Sequence, residues 1–128
     1  MYCLDTNIVI DLFRGEEDTI AKIDTIRDKV IFITTITLCE LFKGAYQSSR
    51  KRDLYVIKNF ASSNEIITLC VDSCEIFGEV YLELKKKGKL ITEPDLMIAS
   101  IAKQNNLTLI TRDKNHFKNI PNLSLEIW

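Results

Sequence analysis

The sequence predicts one α/β domain, an open parallel sheet of five strands with helices on both faces. Three observations carry this prediction. Short apolar runs rich in β-branched residues alternate with longer amphipathic stretches along the whole chain. Alternation of that kind implies parallel strands joined by helical crossovers. A length of 128 residues, 46% hydrophobic and 27% charged, suits a single ordinary core spanning residues 1–128 and not a disordered chain.

The elements follow in order. Tyr2 to Leu4 is the first strand, closed by Asp5, and Thr6 to Arg14 the first helix, ended by Gly15. Glu17 to Arg27 is a second amphipathic stretch. Val30 to Thr34 reads as the second strand, followed by helices over Ile36 to Tyr46 and Lys51 to Ala61. Ile66 to Leu69 is the third strand and Asp72 to Lys86 a long helix whose end is marked by Lys85-Lys86-Lys87. Pro94 to Gln104 is a helix with proline in its first turn. Leu107 to Ile110 and Leu123 to Ile127 complete the set of strands.

Composition narrows the function. Seventeen basic and eighteen acidic residues leave a net charge of −1, which argues against coating nucleic acid by bulk charge but permits a local basic patch. No run approaches the roughly 18 apolar residues of a membrane span, and no basic region precedes an apolar run at the N-terminus. The expectation is a cytoplasmic protein without a signal peptide or membrane partner. Cys3, Cys39 and Cys70 lie in apolar surroundings and read as buried thiols. With Cys74 and the single His116, they lack the paired spacing of a zinc site. Four glycines supply neither a phosphate loop nor a nucleophile elbow, and one histidine excludes a paired-histidine nuclease. The chemistry available is that of carboxylates.

Four acids stand out, and each has a local explanation. Asp5 suits an N-cap, Asp95 complements a helix dipole, Asp113 suits a turn, and Glu40 lies on one helical stripe with Lys43. Topology adds weight to the other reading. Sites in open parallel sheets form beyond the carboxyl ends of the strands. Asp5 and Asp113 follow the first and fourth strands, Glu40 is in the opening turns of the helix leaving the second, and Asp95 heads the helix that descends into the fourth. Four acids from distant segments therefore reach one edge. Left alone they repel; a hard divalent cation relieves this, and oxygen ligands favour Mg²⁺ or Mn²⁺. Such an ion suits phosphodiester cleavage.

Leu4-Asp5-Thr6-Asn7, Cys39-Glu40-Leu41-Phe42-Lys43-Gly44, Asp95-Leu96-Met97-Ile98-Ala99 and Thr111-Arg112-Asp113 with His116-Phe117 together resemble a PIN domain. The similarity is narrower still to the VapC toxins of toxin–antitoxin pairs, and it runs nearly end to end, including Leu125-Glu126-Ile127-Trp128. The resemblance implies a PIN-like fold and a Mg²⁺-dependent endoribonuclease, usually homodimeric and held inactive by a cognate antitoxin. It places metal ligands at Asp5, Glu40, Asp95 and Asp113, with Asn7 and Thr111 as polar supports. Glu93 departs from the family pattern as an additional acid beside Asp95.

Lys43, Arg112 and Lys114 neighbour the acids and suit either RNA phosphates or ordinary surface charge. The Lys85 to Lys89 run reads first as helix-end solvation, and Arg50-Lys51-Arg52 begins a helix. His116 reads as a turn or packing residue. Ile20, Ile23, Leu54, Ile57 and Phe60 read as core; any exposed together would mark a dimer or antitoxin surface. Two other functions compete: a degenerate PIN-like module that binds RNA or a partner without cutting, and a phosphohydrolase using Asp5 as nucleophile. The latter wants an acid two residues on, where the chain has Asn7.

Overall fold

All five strands of the sheet run in one direction, in the order β3-β2-β1-β4-β5. The computed structural model describes residues 1–128. Its elements are β1 (Tyr2–Leu4), α1 (Thr6–Arg14), α2 (Glu17–Ile26), β2 (Ile31–Thr34), α3 (Thr35–Ser48), α4 (Lys51–Ser62) and β3 (Glu65–Ile67). They continue with α5 (Val71–Lys86), α6 (Glu93–Gln104), β4 (Thr108–Thr111), α7 (Lys114–Phe117) and β5 (Leu125–Ile127). The chain builds outward from β1 to β3, then crosses back to place β4 on the other side of β1. Cys3 therefore pairs with both Phe32 and Leu109. The carboxyl ends of β1 and β4 flank the reversal of strand order, where a crevice opens in such sheets.

Alternation along the central strands divides the core in two. Cys3 and Leu109 point to one face and join Val80 and Leu84 of α5 and Leu96, Ile98, Ala99 and Ala102 of α6. Leu4, Ile33 and Ile110 point to the other, against Ile8 and Val9 of α1, Leu41 and Ala45 of α3, and Ile57 of α4. With both faces covered, the strands need no polar alternation, which is why they read as short apolar runs.

Helix starts are fixed by side chains of the kinds expected. Thr34 caps α3 by accepting from the Thr37 N–H at 3.0 Å, and Thr92 caps α6 with Pro94 in the first turn. Gly15 ends α1 with φ 73°, a left-handed conformation natural to glycine. The strand bounds depart from the apolar runs: β2, β3 and β5 are shorter, β1 is unchanged, and β4 is shifted by one residue. Leu107 is buried, yet its N–H goes to the Ala102 carbonyl, so β4 begins at Thr108 and continues to Thr111. The single turn α7 went unseen in the sequence because four residues show no periodicity.

Two thiol assignments are corrected. Cys3 is buried, and burial together with the Asp5 charge pushes its thiol up to about 12. Cys39 and Cys70 are exposed. Cys39 lies on α3 opposite the buried stripe of Thr37, Leu41 and Ala45. Cys70 heads α5, where the Ser73 backbone N–H and then its hydroxyl hold the thiol below its usual value. Of the apolar helix residues, Ile57 is buried, whereas Ile20 is exposed.

Candidate active site

The carboxyl edge at the β1–β4 reversal is built around Asp5. The residue ends β1 and caps α1, so its carboxylate is drawn inward and is only 3% exposed. One oxygen accepts from the Thr6 N–H at 2.8 Å and the other from the Thr111 hydroxyl at 2.6 Å. Burial raises the Asp5 carboxyl pKa to about 6; the Thr111 hydrogen bond opposes this, while the nearby charges of Asp95 and Glu40 add to it.

The supports form a connected set. Thr111 Oγ1 accepts from Asn7 Nδ2 at 3.2 Å and from the Asp113 N–H at 3.0 Å. Asn7 Oδ1 accepts from the Arg112 N–H at 3.3 Å, so one amide spans from α1 to the strand end. Glu40, one turn into α3, accepts from the Thr6 hydroxyl, which lies 3.1 Å from Thr37 Oγ1. Asp95, in the first turn of α6, approaches from the opposite side of the crevice. Its carboxylate lies 2.7 Å from His116 Nδ1, which is also 3.3 Å from Asp113. Asp113 caps α7 by accepting from the His116 N–H at 3.1 Å.

The local and functional explanations of the acids thus coexist. Asp5 and Asp113 are caps, Asp95 sits at a helix N-terminus, and all belong to one hydrogen-bonded edge. Glu40 does not pair with Lys43; it is held by Thr6. No group of three acidic, histidine or cysteine side chains closes to ligand spacing, because Glu40 is turned to Thr6 and Asp95 to His116. Donor chemistry nevertheless fits a hard cation: the groups are carboxylates, and two of them already disfavour the charge of a third. Glu93 is exposed in the first turn of α6 and is absent from the charges acting on Asp5.

The cations differ in their freedom. Lys43 and Lys114 are exposed, the first three residues past Glu40 on α3 and the second next to Asp113 in the chain. Arg112, which the sequence leaves open between a phosphate contact and ordinary surface charge, pairs through Nε with Asp11 at 3.0 Å, whose carboxylate is otherwise buried. His116 was expected to be a turn or packing residue. It does lie in α7, but its ring is half-exposed and its nitrogen meets the two acids. Thr6, Thr37 and Asp11 were not singled out. Thr37 shares the helical stripe of Glu40, the one sequence signal that pointed to it.

This fold and this edge define a class: the chain belongs to the PIN-domain family, whose pattern matches residues 2–123. Within the family its relatives are VapC proteins. It is 37% identical over 136 residues to "Ribonuclease VapC2" of Rickettsia felis, covering 100% of this chain and 98% of that protein. It is 30% identical over 128 residues to "tRNA(fMet)-specific endonuclease VapC" of Salmonella typhimurium, covering 99% and 97%. Among solved structures, VapBC2 of Rickettsia felis bound to a promoter DNA fragment superposes with a TM-score of 0.91 at 35% identity, over 99% of this chain and 98% of that one. The DNA-bound VapBC of Salmonella typhimurium gives 0.89 at 29% identity, over 99% and 97%. The sequence resemblance is therefore borne out in family and fold.

Proposed function

We propose that the chain is the endoribonuclease toxin of a toxin–antitoxin pair, hydrolysing RNA phosphodiester bonds with Mg²⁺ or Mn²⁺. The observation that carries this reading is the Asp5 carboxylate at the reversal point of the sheet, destabilised first by burial and then by the charges of Asp95 and Glu40. A folded protein keeps such a charge cluster where a cation offsets it. The names of the relatives, a ribonuclease and a tRNA endonuclease, support the same activity.

In this reading Asp5, Glu40, Asp95 and Asp113 hold the ion. When bound, it supplies a lowered pKa for water and neutralisation of charge on the phosphoryl group. The chain's own residues do the rest. Thr111 and the Thr6 N–H orient Asp5, the Thr6 hydroxyl orients Glu40, and Asn7 ties α1 to the end of β4. Lys43 and Lys114 draw the RNA backbone to the crevice, and Arg112 acts on the edge through its bond to Asp11. The nucleophile alternative is disfavoured because both Asp5 oxygens are engaged and Asn7 is bound to Thr111.

In the same reading the antitoxin takes the groove between α1, α3 and α4, a cavity of about 680 Å³ lined by Ile10, Phe13, Leu41 and Val56 and rimmed by Arg14 and Arg52. An amphipathic helix with acidic flanks matches it. The resemblance to the VapC toxins supports a homodimer working in the cytoplasm. Sedimentation showing only monomer at tens of micromolar, without antitoxin, overturns the dimer. The activity is tested by incubating the purified chain and its Asp5→Asn variant with total RNA, with Mg²⁺ or with EDTA. Cleavage by the wild type with Mg²⁺ alone is expected; cleavage that persists in EDTA or in the variant refutes the assignment.

A further inference from the structure

Each acid of the edge has a partner that fixes its carboxylate, and for Asp95, as for Glu40, that partner is a single residue. Asp5 is held by Thr111 and the Thr6 N–H, and Glu40 by the Thr6 hydroxyl. The carboxylate of Asp95 is hydrogen-bonded only by His116, at 2.7 Å. The imidazole is itself fixed at its base. Its backbone N–H is capped by Asp113, and the next residue, Phe117, is 1% exposed in the core below α5 and α6. The outer part of the ring is in solvent, its side chain 43% exposed, so core filling does not account for its placement.

We propose that His116 is a positioning residue for the candidate cation site. Its Nδ1–H donates to Asp95 and sets that carboxylate relative to Asp5 across the crevice. The geometry implies the tautomer with the proton on Nδ1, leaving Nε2 towards water as the acceptor. A single N–H between Asp95 and Asp113 keeps two repelling carboxylates, from α6 and the start of α7, in one fixed relation. A ligand held this way binds its ion without first losing rotamer freedom, which is how outer partners strengthen metal sites. His116 thereby does for Asp95 what Thr111 does for Asp5.

This inference rests on the divalent-cation reading, and the test separates the two. Mn²⁺ affinity is measured by the electron paramagnetic resonance signal of free Mn²⁺ for the wild type, His116→Ala, His116→Asn and His116→Gln. The asparagine amide places a donor where Nδ1 stood; the longer glutamine places it beyond. His116→Ala is expected to weaken Mn²⁺ binding roughly 10- to 100-fold. His116→Asn is expected to recover most of the loss and His116→Gln little of it. RNA cleavage should follow the same order in kcat, with KM for RNA unchanged. Independently of folding in the variants, ¹⁵N–¹H correlation of the metal-free wild type near pH 8 should show the Nδ1–H tautomer. Equal Mn²⁺ affinity in the wild type and His116→Ala overturns the positioning role alone, as does an Nε2–H tautomer. A wild type that binds no Mn²⁺ overturns the cation reading and the positioning role with it.

Discussion

Replacing Asp5 by Asn should stabilise the metal-free protein at neutral pH, although it removes the central group of the proposed site. The Asp5 carboxyl is raised from 3.8 to about 6, first by burial and then by the charges of Asp95 and Glu40. That difference corresponds to about 3 kcal/mol lost by the folded state once the group is ionised. Because the folded value lies above the unfolded one, the native state holds the proton more tightly between the two. Stability therefore falls as pH rises through that window, and the full penalty stands above about pH 6. Asn removes the penalty but not without loss. Thr111 Oγ1 already accepts from Asn7 and Asp113 and donates to Asp5, so an amide N–H₂ facing it forfeits one hydrogen bond, about 1 kcal/mol. The net gain for Asp5→Asn is about 2 kcal/mol at pH 8 in EDTA, or roughly 8 °C in Tm at about 4 °C per kcal/mol. Below about pH 4 the wild type carries no penalty and should lead by about 1 kcal/mol. Thermal and urea unfolding across this range read both ends. A variant no more stable than the wild type at pH 8, or a gap that does not change with pH, refutes the reasoning.

Further outcomes follow from other contacts. Thr111→Val removes the hydrogen bond that lowers the Asp5 pKa, so that group should titrate at still higher pH and the onset of Mn²⁺ binding should move upward with it, readable by calorimetry across pH. Arg112→Ala strands the buried Asp11 carboxylate and should cost about 1–3 kcal/mol in urea unfolding, with Asp11→Asn recovering much of it in the double variant; no coupling in that cycle refutes the latch. An antitoxin segment that lays an apolar helix in the α1–α3–α4 groove and turns an Arg or Lys toward Asp5 and Asp95 competes with Mg²⁺ for the same oxygens. Its affinity should fall as Mg²⁺ rises, and an affinity indifferent both to Mg²⁺ and to Asp5→Asn places inhibition elsewhere.

The amino-acid order by itself determined the parallel sheet, since apolar β-branched runs separated by amphipathic stretches admit few other arrangements. It also determined the first strand, Tyr2–Leu4, and first helix, Thr6–Arg14, to the residue, because Asp5 and Gly15 punctuate them. Asp5, Glu40, Asp95 and Asp113 were legible as one edge from topology alone, and the spacing of their motifs marked the family. Tertiary structure decided the partners of those acids. The bond of Asp95 to His116, of Glu40 to Thr6 and of Arg112 to Asp11 joins residues that are 21, 34 and 101 positions apart, respectively. No local pattern encodes such pairs, because a side chain chooses its partner by distance and burial after the segments have packed. The same reason exposed Cys39 and Cys70: apolar neighbours in sequence do not say which side of a helix faces the core, as for Cys39, or whether a residue at a helix cap turns outward, as for Cys70. Asp5 shows both levels at once, a helix cap by sequence and a destabilised carboxylate only because the packed fold buries it and then sets two other acids beside it.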